Sequence, residues 1–167
     1  RIIDLGSQLT AGPPSALCEG PATFELPKGM PATGYFTGPG LLDPGQGIVD
    51  LRQLRMDTTY TYQYCLRSSA VAGCEACKPQ TLRIHANPNA RFSFIGTPCI
   101  NQEFRMQNLS GGAASYFWDF GDGTVLGGAE PAHRYRQRGT YSLTLIATSS
   151  EGCRDTSRQT LYITTPP

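Results

Sequence analysis

Charge is scarce in this 167-residue chain: 16% of residues are Asp, Glu, Lys or Arg, and the net charge is +1. No basic patch of the size nucleic acid requires is visible, and no acidic run that would gather cations. Histidine is scarcer still. His85 and His133 are the only two, which leaves a Ser-His-Asp or Cys-His site little to work with. Neither G-x-S-x-G nor H-E-x-x-H occurs. No run of about 18 apolar residues exists, so no helical membrane span is expected. Stretches of Ala, Leu, Glu and Lys long enough to build helices are also missing. These absences argue against a stand-alone enzyme, a nucleic-acid binder and a membrane-inserted chain, and they imply no cofactor.

What the chain does contain is turn and strand material: 19 Gly and 13 Pro, with Thr, Tyr and Phe well represented. That mixture predicts an all-β fold with many short strands. The segment His85-Ala86-Asn87-Pro88-Asn89-Ala90 interrupts the strand pattern. It divides the chain into residues 14–86 and 90–165, joined by a linker at 87–89. Each half has roughly 75 residues, and a domain of that size buries only about 60% of its unfolded surface, so a covalent staple is useful. Residues 1–13 read as an extra edge strand (Arg1-Ile2-Ile3-Asp4-Leu5) or as the tail of a preceding module. The chain opens on Arg1 with no signal-peptide succession and stops on Thr165-Pro166-Pro167. It therefore reads as a piece of a longer protein.

Period-two alternation is clear in the second half. Phe92 and Phe94, Phe104 and Met106, Tyr116, Trp118 and Phe120, Tyr141 through Ala147, and Leu161 with Ile163 define five strands. Gly-containing turns lie between them, as in a sandwich. In the first half Phe24 and Leu26, then Tyr60, Tyr62, Tyr64 and Leu66, then Leu82 and Ile84 alternate. The Gly/Pro-rich stretch from Gly29 to Gly47 is expected to hold at most one short strand, around Tyr35-Phe36. The fold class is thus two tandem immunoglobulin-like β-sandwich domains.

The cysteines are Cys18, Cys65, Cys74, Cys77, Cys99 and Cys153. An even number in small β domains points to disulfides and an oxidising compartment. Cys153 precedes Leu161 by 8 and Ile163 by 10, and Cys74 precedes Leu82 by 8 and Ile84 by 10. Cys18 lies before the Phe24 strand as Cys99 lies before the Phe104 strand. Two copies of one fold account for this register, and it predicts Cys99–Cys153 and, by equivalence, Cys18–Cys74. Cys65 and Cys77 are symmetric about position 71, the tip of a hairpin, and suit a cross-strand bridge. The alternative is Cys18–Cys77 with Cys65–Cys74. A zinc site is disfavoured because Cys74-Glu75-Ala76-Cys77 has no second C-x-x-C. A thioredoxin-like role is disfavoured because no βαβ context surrounds it.

Trp118 and Phe120 fall on one face of a strand, and Gly121-Asp122-Gly123 then turns the chain sharply. The run Trp118-Asp119-Phe120-Gly121-Asp122-Gly123-Thr124 resembles the hallmark of the PKD (polycystic kidney disease) domain family. Downstream, Pro131, His133 and Tyr135, then Gly139, Tyr141, Leu143, Leu145 and Ala147, resemble the rest of its pattern, with Leu143 and Ala147 in place of the usual Val. The resemblance covers most of residues 90–165. It implies an immunoglobulin-like sandwich, usually one module of a secreted or surface protein, with His133 as a structural hydrogen-bonding residue.

The first half resembles Ig-like repeats of giant surface proteins in gliding, Bacteroidota-type bacteria. The pattern is Cys18-Glu19-Gly20, Gly34-Tyr35-Phe36-Thr37-Gly38-Pro39-Gly40, Gly45-Gln46-Gly47, the Tyr60–Tyr64 strand and Gly73-Cys74, with Phe36 where those repeats often carry Trp. This resemblance implies an adhesin-type setting and export by the type IX route.

Other motifs weigh less. Asp119 and Asp122 are weak calcium candidates, because the preceding loop Asn108–Ser115 has no acid and calcium needs six to eight oxygens. Asp119-Phe120-Gly121 lacks every other kinase element. Asn108-Leu109-Ser110 is a sequon, and Asp57-Thr58-Thr59 fits a bacterial O-glycosylation pattern at Thr58. The row Tyr60, Tyr62 and Tyr64 is expected to pack in a core, an exposed row suggesting sugar stacking instead. The expected role is a non-enzymatic extracellular spacer or adhesive segment at the cell surface. Its partners would be neighbouring Ig or PKD modules of the same chain, and surface glycans or proteins. The alternative is an accessory segment of a secreted hydrolase such as a protease or chitinase.

Overall fold

A computed structural model describes residues 6, 9–68, 75–96 and 98–166. The chain divides into two compact units, Arg1–Ala86 and Asn87–Pro167. Strands carry almost all the regular structure of both.

In the first unit the strands are β1 (Ser15–Cys18), β2 (Thr23–Glu25), β3 (Tyr35–Thr37), β4 (Leu41–Asp43), β5 (Ile48–Asp50), β6 (Thr58–Arg67) and β7 (Glu75–His85). One sheet has the order β1-β7-β6-β3, the other β2-β5-β4. The β6–β7 hairpin is centred on position 71, with Cys65 opposite Cys77 and Thr58 opposite Ile84. Pro79 sits inside β7 without breaking it, because β1 pairs only with Leu82–His85 and leaves the earlier part of β7 as an edge. Alternation along β6 sends Tyr62 and Tyr64 into a core with Phe36, Leu26, Leu82 and Ile84.

Two expectations for this unit are corrected. The Gly29–Gly47 stretch holds two short strands, β3 and β4, rather than one. The tyrosines cause this. Tyr64 donates its hydroxyl proton to the Pro31 carbonyl and accepts from Gly34 N–H at 3.0 Å, while Tyr62 donates to the Pro39 carbonyl at 3.0 Å. These bonds fasten an irregular loop over the core. Gly34 is required there, since a Cβ would lie 2.4 Å from the Tyr64 ring. The unit also begins earlier than residue 14: Leu9 is buried in the core, and Thr10 and Met30 exchange backbone hydrogen bonds. Residues 1–5 lie outside the described residues.

In the second unit the strands are β8 (Phe92–Ile95), β9 (Phe104–Asn108), β10 (Ser115–Asp119), β11 (Val125–Gly127), β12 (Ala132–His133), β13 (Gly139–Thr148) and β14 (Arg154–Ile163). Sheets β11-β10-β13-β14 and β12-β9-β8 enclose Trp118, Phe120, Phe104, Tyr135, Leu143, Leu145 and Leu161. Phe92 meets Trp118 edge-on at 5.2 Å, a contact worth about 0.5–1.5 kcal/mol beyond area burial. The linker is shorter than 87–89: Pro88 is buried, and Asn89 exchanges backbone bonds with Gly111 within this unit.

The cysteines fall differently from the sequence expectation. Cys65 and Cys77 are joined by a disulfide, which excludes the Cys65–Cys74 and Cys18–Cys77 pairing. Cys18 takes part in a disulfide, and so, in the other unit, does Cys153; Cys74 lies outside the described residues. Cys99 carries a free, buried thiol, so the expected Cys99–Cys153 bond is not formed. Cys99 bridges in parallel to Thr164, just past the end of β14, whereas Cys153 lies just before its start. Ten residues of strand separate those points by about 30 Å, and a disulfide needs Cα atoms within about 7 Å. The register equivalence holds for Cys18 and Cys99. Cys18 pairs in parallel with His85, one residue past Ile84, as Cys99 pairs with Thr164, one residue past Ile163.

Thiol alkylation of the native protein is expected to leave Cys99 unmodified, because it is 6% exposed. Alkylation in denaturant without reductant is expected to label the Cys99 peptide. Recovery of Cys99 in a disulfide would contradict the assignment.

Candidate functional site

The segment that ends β10 carries a close set of polar contacts. Trp118 and Phe120 are fully buried. Trp118 Nε1–H donates to the Gly128 carbonyl at 3.0 Å and so ties β10 to the far end of β11. Asp119 Oδ1 accepts from Gly121 N–H at 2.9 Å, and Asp122 Oδ1 from Thr124 N–H at 3.0 Å. Each closes a side-chain turn of the kind Asp favours. Phe120 N–H donates to the Thr124 carbonyl at 3.0 Å and completes the reversal. Gly121 has φ +75°, and a Cβ there would meet the Ser142 backbone at 2.8 Å.

Two residues on and after β12 lock this turn. His133 Nε2 lies 2.8 Å from Asp122 Oδ2, with the imidazole 8% and the carboxylate 20% exposed. The imidazole also packs at 4.2 Å on Phe120 and at 4.6 Å on Tyr135. Tyr135 is fully buried and donates its hydroxyl proton to the Phe120 carbonyl at 2.6 Å. Its ring is stacked between Phe104 at 5.6 Å and Tyr141 at 4.2 Å. Burial, with Asp122 nearby, pushes the Tyr135 phenol well up. Partial burial raises the Asp122 carboxyl, but the bonds from Thr124 and His133 outweigh it and hold the group below its ordinary value. Gly139 opens β13, and the Tyr141 hydroxyl donates to the Gln137 carbonyl at 3.1 Å.

This arrangement gives the two aspartates architectural work. Both Asp122 oxygens and one of Asp119 are engaged in the turn and its clamp, so the pair offers a calcium ion little of the six to eight oxygens it requires. Among the described residues the one cluster of metal-ligating types is Cys65, Glu75 and Cys77, and its two sulfurs are bonded to each other. His85 ends β7 beside Cys18. Thr58 opens β6 half-buried, its hydroxyl donating to the Met56 carbonyl at 3.1 Å. Of the tyrosine row, Tyr62 and Tyr64 are fully buried and Tyr60 packs against the same core. Burial pushes the Tyr62 phenol up to about 12. These rings form no exposed platform.

Sequence reasoning missed two features. Asp50, 4% exposed, caps the turn Leu51–Gln53 and accepts from Arg52 N–H, Nε and Nη2 and from Gln53 Nε2. The Arg52 guanidinium holds its carboxyl down to about 2, against the burial that opposes it. The signal was present as Asp followed at two residues by Arg, but only burial gives it weight. The second feature is a cavity of about 480 Å³ beside the clamp, lined by Arg134 and Arg136 among others.

The fold and this clamp define the second unit as an immunoglobulin-like β-sandwich module whose signature side chains hold its own turn. The PKD domain model matches residues 87–165, and through that unit the chain belongs to the PKD domain family. The pre-pro-metalloprotease PrtV of Vibrio cholerae is 43% identical over 80 residues, 47% of this chain and 9% of that protein. The chain thus spans about a tenth of that relative's length. The solved PKD1 domain of PrtV is 35% identical over 47% of this chain and 99% of its own, with a TM-score of 0.44. Extracellular domains 3–5 of Drosophila OTK match 96% of this chain and 62% of theirs at 13% identity, with a TM-score of 0.54, a likeness of fold.

Tyr135→Phe is expected to lower unfolding stability by about 1–3 kcal/mol, since it strands a buried carbonyl; denaturant unfolding reads this directly. Gly121→Ala is expected to destabilise by more than about 1 kcal/mol, because the left-handed φ excludes Cβ. The pH dependence has a definite sign. The folded carboxyls of Asp122 and Asp50 titrate below the unfolded value of about 3.9. Their stabilisation is therefore complete above about pH 4 and is lost as pH falls through the folded values. Thermal unfolding midpoints of the Asp50→Asn variant are expected to fall less steeply than wild type between about pH 4 and 2.

Proposed function

We propose that this chain is a pair of non-enzymatic modules serving as a spacer or binding segment of a larger exported protein. The observation that carries this reading is the commitment of the motif side chains. Asp119, Asp122, His133 and Tyr135 each bond within the turn or its clamp, and no nucleophile stands beside a free base there. Disulfides at Cys65, Cys77, Cys18 and Cys153 support an oxidising, extracellular setting. Among the described residues no helix is long and apolar enough to cross a membrane.

Two kinds of parent fit. The 43% identity to a stretch of PrtV favours an accessory segment of a protease. The resemblance of the first unit's motif run to Ig-like repeats of gliding-bacterium surface proteins favours an adhesive surface protein of that type, exported by the type IX route. Neighbouring sequence separates them: a catalytic domain supports the first and further Ig or PKD repeats the second. In either parent, deleting this segment is expected to leave the parent's chemistry on a small soluble probe unchanged and to weaken its retention on a solid substrate or cell surface. Hydrolysis of casein or chitin by the isolated chain would overturn the proposal.

A further inference from the structure

Tyr135 is fully buried in the core, while its neighbours Arg134 and Arg136 are both exposed. They line the cavity of about 480 Å³ together with Thr124, Gln137 and Tyr141. Among the described residues neither guanidinium has a salt-bridge partner. The one carboxylate in the cavity wall, Asp122, is turned to His133 and to Thr124 N–H. The cavity therefore offers two guanidinium groups without an ion-pair partner against one carboxylate, whose oxygens already bond to other donors.

We propose that this cleft binds the anionic group of an acidic saccharide, a carboxylate or a sulfate, between Arg134 and Arg136. The inference rests on the reading of the chain as a binding segment and narrows it to a ligand class. Guanidinium forks match both anions in a bidentate manner. The other walls match a sugar. Thr124 and Gln137 can exchange hydrogen bonds with hydroxyls, and Tyr141, stacked on Tyr135, adds an aromatic edge fixed in place. Apart from Tyr141 the lining is polar or charged, which suits a hydroxyl-rich anion.

The test is calorimetric titration of the intact 167-residue chain with three tetrasaccharides: a galacturonate (carboxylate), a heparin-derived one (sulfate) and neutral chitotetraose. Poly-glutamate serves as an acidic peptide probe. At least one acidic saccharide is expected to bind, more weakly as salt rises. The double variant Arg134→Gln/Arg136→Gln is expected to lose at least about tenfold in affinity. Arg158→Gln, on β14, is expected to change nothing. The variants' thermal midpoints check that they fold, and amide shifts of Thr124 and Gln137 in NMR locate the ligand. Which acidic arm binds identifies the anion. Equal loss from Arg158→Gln, tighter binding of poly-glutamate, or acidic binding indifferent to the double variant overturns the inference. Binding of chitotetraose alone also overturns it and leaves the binding-segment reading standing. Binding of no saccharide overturns it and leaves the spacer role.

Discussion

The second unit depends on a single hydrogen bond, from the Tyr135 hydroxyl to the Phe120 carbonyl. Strand β10 stops at Asp119 while its next residue, Phe120, is still fully buried. A backbone that leaves a ladder inside a core exposes polar groups that water cannot reach. Tyr135 reaches through the core to satisfy one of them, and the Thr124 carbonyl takes the other through Phe120 N–H. The chain can then reverse sharply at Gly121-Asp122-Gly123 without an orphaned group. The aromatic stack of Phe104, Tyr135 and Tyr141 fixes the donor's position, so the bond costs little further ordering. The Asp122–His133 contact braces the same turn from outside.

The first unit solves a similar problem with similar parts. Its irregular loop between β2 and β5 crosses the core, and the hydroxyls of Tyr62 and Tyr64 reach loop carbonyls from below. In both units buried tyrosines act as rigid props: the ring supplies apolar area and the hydroxyl satisfies backbone that no sheet covers. In the second unit Arg134 and Arg136, on either side of the buried Tyr135, are exposed and line the cleft.

Much of the fold was legible because alternation is strict where one face is buried. Tyr60, Tyr62 and Tyr64, and Leu143, Leu145 and Ala147, announced their strands and their faces. The Trp118–Gly123 turn was legible because few residues other than Gly and Asp fit it. The short strand at Tyr35-Phe36 was legible, but β4 was hidden, since the loop before it is held by Tyr62, more than twenty residues away. The cysteines show the limit most clearly. Spacing revealed that Cys18 and Cys99 occupy matching places, but not that Cys99 and Cys153 lie at opposite ends of one ten-residue strand. The arginine-lined cleft was invisible because its charges become a pair only in the fold, where both line one cavity.

The central claim is that the motif side chains serve the fold by holding the turn after Phe120, with Asp122 and His133 as a coupled clamp beside the Tyr135 bond, and a double-mutant cycle on that clamp tests it most directly. Unfolding free energies of Asp122→Ala, His133→Ala and the double variant are measured at neutral pH. The account predicts a coupling energy of about 0.5–3 kcal/mol, with the double variant less destabilised than the two single losses together. Losses that simply add, to within about 0.5 kcal/mol, would contradict it.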